Sequence, residues 1–355
     1  MRGAAKRRIR ELRIFKIRHK RTEAQKRRVK RRRRYQVIAK RTGPRYAPTR
    51  TSNIPGETYR TAFDLRFPQE LDFDGNLTET LEFFSRFRRL IHKVKPRIIR
   101  IDHGALAKVS PAAALVLIAE IVRGVEILQG CKWYSYGRPK AEAHQLLGEV
   151  GYWDYFDQVK WEKSEKESRQ FLHHKYGNKT SGLVVKELVE HVLPALRVPQ
   201  ELTKALYPAI IECMDNVMKH AYAQHDEGKP YFQRWWLLGS RNPKTREAYF
   251  CFYDQGVGIP QTIRVRYKDL VPLLSDSDSE LIVKAVVEGH YSSTKDPTRG
   301  RGLPKLKSFI DGAEAGELTI VTHKTRCTFF KNAQPHQLNG STSLGGTLIV
   351  WRLQN

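Results

Sequence analysis

The stretch YPAIIECMDNVMKHAYA, Tyr207 to Ala223, reads as a helix with two faces. Ile210, Cys213, Met214, Val217, Met218 and Ala221 recur at the i, i+3, i+4, i+7 spacing of a core-facing stripe. Glu212, Asp215, Asn216, Lys219 and His220 keep the same beat on another face, so a carboxylate, a carboxamide, an ammonium and an imidazole stack along successive turns. Alone, that polar stripe describes a solvated helix face.

Three further segments change its meaning. In EAYFCFYDQGVGIP the β-rich run Ala248 to Tyr253 feeds into Asp254, Gly256 and Gly258. A strand ending in an acid and two glycines lets the backbone turn tightly and approach a flat ligand closely. Ser292 to Lys295 leads through Asp296, Pro297 and Thr298 to Arg299-Gly300-Arg301-Gly302-Leu303, followed by a helical pattern with Leu303, Leu306, Phe309 and Ile310 on one side. Glycines beside Lys and Arg at a helix N-terminus favour an anion, because free amides and the helix dipole both attract phosphate. Finally, Gly345-Gly346-Thr347 opens the last strand.

In this order and spacing the four segments resemble the GHKL ATPase superfamily of gyrase B, heat-shock chaperones, histidine kinases and MutL. The helix resembles the N-box, DQGVG the first glycine box and RGRGL the second, with Arg301 and Pro304 standing where the family has smaller residues. The run Glu212, Asn216, His220, Ala221, Tyr222 looks most like the anti-sigma-factor serine kinases. The resemblance implies a Bergerat-type α/β sandwich, a mixed and largely antiparallel sheet layered on helices, that binds ATP and Mg²⁺. Strands are expected at Tyr231–Leu238, Ala248–Tyr253, Leu318–Thr322, Cys327–Lys331 and Thr347–Arg352.

It also implies roles. Asp254 accepts from the adenine amine and Thr347 supports that edge, Asn216 offers a neutral oxygen to Mg²⁺, and Glu212 orients and deprotonates a water or a protein hydroxyl. Gly256, Gly258, Gly300 and Gly302 give close backbone approach, while Lys219, His220, Lys295 and Arg299 lie toward the phosphates. Ile259 to Arg299, with Asp276, Asp278 and the helical LIVKAVVEGH, corresponds to the ATP lid. Three functions compete: an ATPase switch acting on a regulatory partner or within a homodimer, an anti-sigma-type serine/threonine kinase, and an interaction module that holds nucleotide without hydrolysing it.

Over 355 residues the net charge is +27, yet residues 1–50 carry 22 Lys and Arg against Glu11 and Glu23, so +20 of it sits there. Such density of like charge resists compaction, and residues 1–57 are expected to be a disordered basic arm. Its functional reading is attachment to nucleic acid through phosphates; the competing one is a stretch translated ahead of the true start. Cys131, Cys213, Cys251 and Cys327 have no paired metal spacing and read as buried reduced thiols. With no apolar run long enough to span a bilayer and no signal-like N-terminus, the expectation is a soluble, cytoplasmic protein without membrane attachment.

Residues 58–160 alternate strand and helix: Arg97–Asp102, the apolar helix Pro111–Leu128, Cys131–Tyr136, and the helix Lys140–Val150 ending at Gly151. This order and the phrase HQLLGEVGYWDYF resemble the STAS domain of anti-sigma-factor antagonists. Where phosphorylated STAS domains carry an acceptor serine this chain has Pro111, whose fixed φ suits the first helical turn. The module therefore reads as a degenerate partner-binding or regulatory domain in an α/β two-domain chain. Residues 161–182 read as the linker, with His173 and His174 facing solvent, and 183–355 as the ATP-binding domain.

Overall fold

The computed structural model describes residues 62–156, 170–193, 200–222, 233–266, 276–289, 302–313 and 315–354. The basic arm, Lys295, Arg299 and Gly300 lie outside the described residues.

Three parallel strands open the described chain, β1 (Ala62–Arg66), β3 (Ile98–Asp102) and β5 (Lys132–Tyr136), in the order β1-β3-β5. A short parallel pair, β2 (Glu70–Leu71) and β4 (Lys108–Val109), sits beside them. Helix α1 (Leu77–Arg89) presents Phe83, Phe84 and Phe87 to the interior. Helix α2 (Pro111–Ile127) starts as the sequence requires: the Ser110 side chain accepts from the Ala113 amide, and Pro111 takes the first turn, where its missing N–H costs nothing. From Pro111 to Val122 every residue of α2 is buried. A helix that is apolar all round must be covered on all sides, and this one meets Trp133 of β5 at Gly124 and packs on its other flank against a second sheet. Helix α3 (Ala141–Glu149) ends near Gly151, which has a φ of +84°.

The second sheet has seven strands, ordered β11-β10-β9-β12-β8-β7-β6. They are β6 (Gln170–Gly177), β7 (Trp235–Asn242), β8 (Glu247–Asp254), β9 (Ala315–Thr322), β10 (Thr325–Phe330), β11 (His336–Asn339) and β12 (Thr347–Gln354). The expected sheet was mixed and largely antiparallel; the described ladders are antiparallel throughout. Four strand expectations hold to within a few residues, while the one at Tyr231 starts at Trp235 among the described residues and runs on to Asn242.

Alternation along β8 divides the interior. Phe250 and Phe252 face a core shared with helices α4 (Gly182–Val192), α5 (Gln200–Asn216), α7 (Asp278–Val287) and α8 (Gly302–Asp311). Tyr249, Cys251 and Tyr253 face the opposite way, into one continuous core with Leu115, Ile118 and Phe84 of the N-terminal elements. A further helix, α6 (Ile259–Arg266), follows the turn that holds Gly256 and Gly258. All four cysteines are free and buried, as expected. Among the described residues no helix is long and apolar enough to cross a membrane.

Two expectations need correction. Residues 170–177, within the stretch read as a linker, form edge strand β6, paired with β7 through a register shift between Leu172 and Lys175. His173 is exposed, but His174 turns inward: its Nδ1 lies 2.8 Å from the Val150 carbonyl and its Nε2 3.0 Å from the Tyr155 hydroxyl. Burial lowers its pKa to about 4. The second correction is Met218, placed on the core stripe by spacing yet 42% exposed. After Asn216 the helix widens into a π turn, Val217–Ala221, and that change of period rotates the following side chains off the α-helical face.

Candidate functional site

The site is built where β8 ends beside the start of β12, against the π turn that follows α5. Asp254 closes β8 and pairs across the ladder with Thr347 on one flank and Trp235 on the other. Its residue is only 6% exposed. The Asp254 Oδ1 accepts from the Gly256 amide at 2.8 Å, and Thr347 bonds the same carboxylate. Burial pushes this acid up to about 7, against the pull of Gly256, Thr347 and Arg123 toward ionisation. An acceptor held dry and half ionised at neutral pH is a perturbed group of the kind that marks binding sites.

The turn after Asp254 is pressed onto the π turn Val217–Ala221 that follows α5. The Val257 amide donates to the Ala221 carbonyl at 2.9 Å, and a Cβ on Gly256 would strike that same carbonyl. Only a residue without a side chain fits such an approach. Gly258 takes a φ of +86°. Beyond it, His323 fastens the turn to the start of α7: Nε2 lies 2.8 Å from the Val257 carbonyl and Nδ1 2.9 Å from Asp278 Oδ2. Asp278 also takes Arg264 at 2.6 Å, and these hydrogen bonds outweigh its burial and keep its pKa below the usual carboxylate value. The Ser277–Glu280 capping box starts α7 there.

One to three turns back along α5 from Ala221, Asn216 and Glu212 are half-buried. The carboxylate of Glu212 lies against Gly302 at the start of α8, where any side chain would collide with it, and its Oε2 is 3.7 Å from Lys305 Nζ. A half-exposed pair at that distance holds the carboxylate weakly. Lys219 points elsewhere: it is exposed and pairs at 3.3 Å with Asp215, which also accepts from Thr180. His220 sits in the π turn, half-buried. The structure thus brings Asp254, Gly256, Gly258 and Thr347 into one constellation beside α5, and Glu212 together with Gly302, but it pairs Lys219 with a neighbour on its own helix.

Tyr222, already part of the quoted run, and Thr322, to which sequence reasoning gave no role, complete the setting. The Tyr222 hydroxyl accepts from the Gln255 amide at 3.0 Å and donates to the Arg234 carbonyl at 2.9 Å, while Thr322 donates to the Gly346 carbonyl at 2.9 Å. Among the described residues no group of three or more His, Cys, Asp and Glu side chains is set to hold a metal ion. No family model matches the chain, and no curated protein matches it.

Proposed function

We propose that the chain is a Mg·ATP-binding protein of the GHKL type, its sheet and helices a Bergerat-type sandwich and its N-terminal part a STAS-like unit, acting as an ATPase switch that controls a partner. The observation that carries this reading is the buried Asp254 carboxylate, closed between the Gly256 amide and Thr347 at the end of two adjacent strands. A dry, fixed acceptor flanked by a glycine that admits close backbone approach suits the amino edge of adenine.

The chain's own residues divide the work. Asp254 accepts the base amine in its ionised form, so affinity rises as pH climbs through about 7. Asn216 offers its amide oxygen, and the start of α8 at Gly302 offers free amides to phosphate. Glu212, loosely held by Lys305, has the freedom to orient and deprotonate a nucleophile. A Mg²⁺ held by Asn216 would supply charge neutralisation at the phosphates. Ser110 is a buried helix cap and Pro111 follows it, so the STAS-like turn offers no exposed hydroxyl to a kinase within the same chain. This favours the switch over a self-contained kinase and substrate.

The test is incubation with γ-labelled ATP alongside an Asp254→Ala variant. Free labelled phosphate from the parent, with nucleotide binding lost in the variant and its melting temperature kept, is the expected outcome. Label transferred to protein replaces the switch with the kinase reading, and unchanged binding by Asp254→Ala overturns the site.

A further inference from the structure

The turn that carries Asp254 is gripped from behind by the N-terminal part of the chain. Gln255 has three of its polar groups engaged: its carbonyl accepts from Arg123 Nη2 at 3.0 Å, its Nε2 donates to Glu120 Oε1 at 3.0 Å, and its amide donates to Tyr222. Glu120 and Arg123 are one turn apart on α2, which lies on the face of the sheet opposite α5. Glu120 is wholly buried, and the same Oε1 takes Arg88 Nε at 3.1 Å and lies 3.2 Å from the Tyr253 hydroxyl. Arg88 reaches on to the Tyr253 hydroxyl at 3.1 Å and the Ser343 carbonyl at 3.4 Å, and Tyr253 lies 3.2 Å from the Gly345 carbonyl. One buried carboxylate with two arginines therefore spans both glycine turns that frame Asp254. Burial alone would neutralise Glu120, but Arg88 and Arg123 hold its pKa below the ordinary value.

We propose that Glu120 and Arg123 are positioning residues of the base site, through which the N-terminal unit holds Gln255 and so aims the Asp254 carboxylate at the purine amino group. The inference rests on the nucleotide reading above. A ligand-binding acid is only as well placed as the groups that lock its backbone, and here those groups come from across the sheet. Arg123 also acts on it by charge. The titratable and charged groups around Asp254 among the described residues are Cys213 on α5, Tyr222 after it, Tyr253 on β8 and Arg123 on α2, with Glu120 behind Tyr253. A cation nearby favours the ionised acid and an anion opposes it.

The experiment measures binding of a ribose-labelled fluorescent ATP analogue to the full chain, displaced by unlabelled ATP, between pH 5.5 and 8.5. Arg123→Met keeps the apolar stem and removes the grip on Gln255; the expected result is roughly five- to twentyfold weaker binding at pH 7, the scale of one lost charge-assisted hydrogen bond. The pH midpoint of binding should move up in Arg123→Met and down in Glu120→Gln, opposite shifts that general destabilisation does not produce. If Arg123→Met does not fold, the downward shift in Glu120→Gln carries the test. Unchanged midpoints in these variants, with binding lost in Asp254→Ala, overturn the positioning role and leave the nucleotide reading standing. A parent that binds no ATP at any pH overturns both.

Discussion

The amide of Val257 donates to the carbonyl of Ala221 at 2.9 Å, which ties the turn after β8 to the π turn that ends α5. Gly256 sits inside that contact with no room for a methyl group. Gly256→Ala is therefore expected to destabilise the fold by about 1–3 kcal/mol, as overpacking against backbone does. Urea unfolding of the purified variant checks it, and nucleotide affinity should fall with the distorted turn.

Glu212→Ala removes a weakly paired carboxylate and leaves the Asp254 end untouched. ATP binding should persist while turnover drops about a hundred- to a thousandfold, the lower part of the range for a lost general base. Asn216→Ala should instead weaken the Mg²⁺-dependent part of binding. Parallel titrations with and without Mg²⁺, together with phosphate release, separate the two variants; turnover at the parent rate in Glu212→Ala returns the polar stripe to a solvated face.

Stability should depend on pH through groups of opposite sign. His103 and His174 are both lowered to about 4 by burial, so the folded state refuses protons that the unfolded chain takes up below its value near 6.5. Their contribution is complete above pH 6.5 and is lost as pH falls toward 4, with a ceiling of about 3 kcal/mol each. Asp254, raised to about 7, works the other way: it keeps its proton in the fold between about 4 and 7, so its contribution is present at low pH and lost as pH rises through 7. Urea midpoints from pH 4 to 8 should show a net acid loss that flattens in His174→Gln and steepens in Asp254→Asn.

Residues 1–50 carry +20 of the chain's charge. If they attach the chain to nucleic acid, binding to duplex DNA or RNA should fall steeply between low and physiological salt. Deleting residues 1–50 should abolish it without altering ATP affinity. Equal binding by both forms removes the arm from the function.

Much of the site's scaffold could be read locally. The run Ala248 to Tyr253 into Asp254 declares a buried strand and a tight turn because both its faces are apolar and glycines follow at once. Pro111 and Ser110 announce the start of α2 for equally local reasons. What escaped depended on distance or on weak alternation. β6 and β11 are edge strands with much polar surface, so a period of two barely registers in QFLHHKYG or HQLN. Met218 misleads because a π turn changes the period within one turn of helix. Glu120 and Arg123 lie within what reads as an apolar helix, PAAALVLIAEIVRGV, and nothing local names a partner more than a hundred residues away.

Because β6 and the N-terminal elements share the sheet's second face, the chain resists dissection at the place its composition advertises. A fragment starting at residue 183 would lose β6 and leave the backbone edge of β7 open to any passing strand. It would also bare Trp236, Leu238, Tyr253 and Val350 to water. Such a piece would collect as aggregate, whereas the whole chain should melt as one cooperative body, and any genetic shuffling that grafted this C-terminal half onto another protein would have to carry a replacement cover with it.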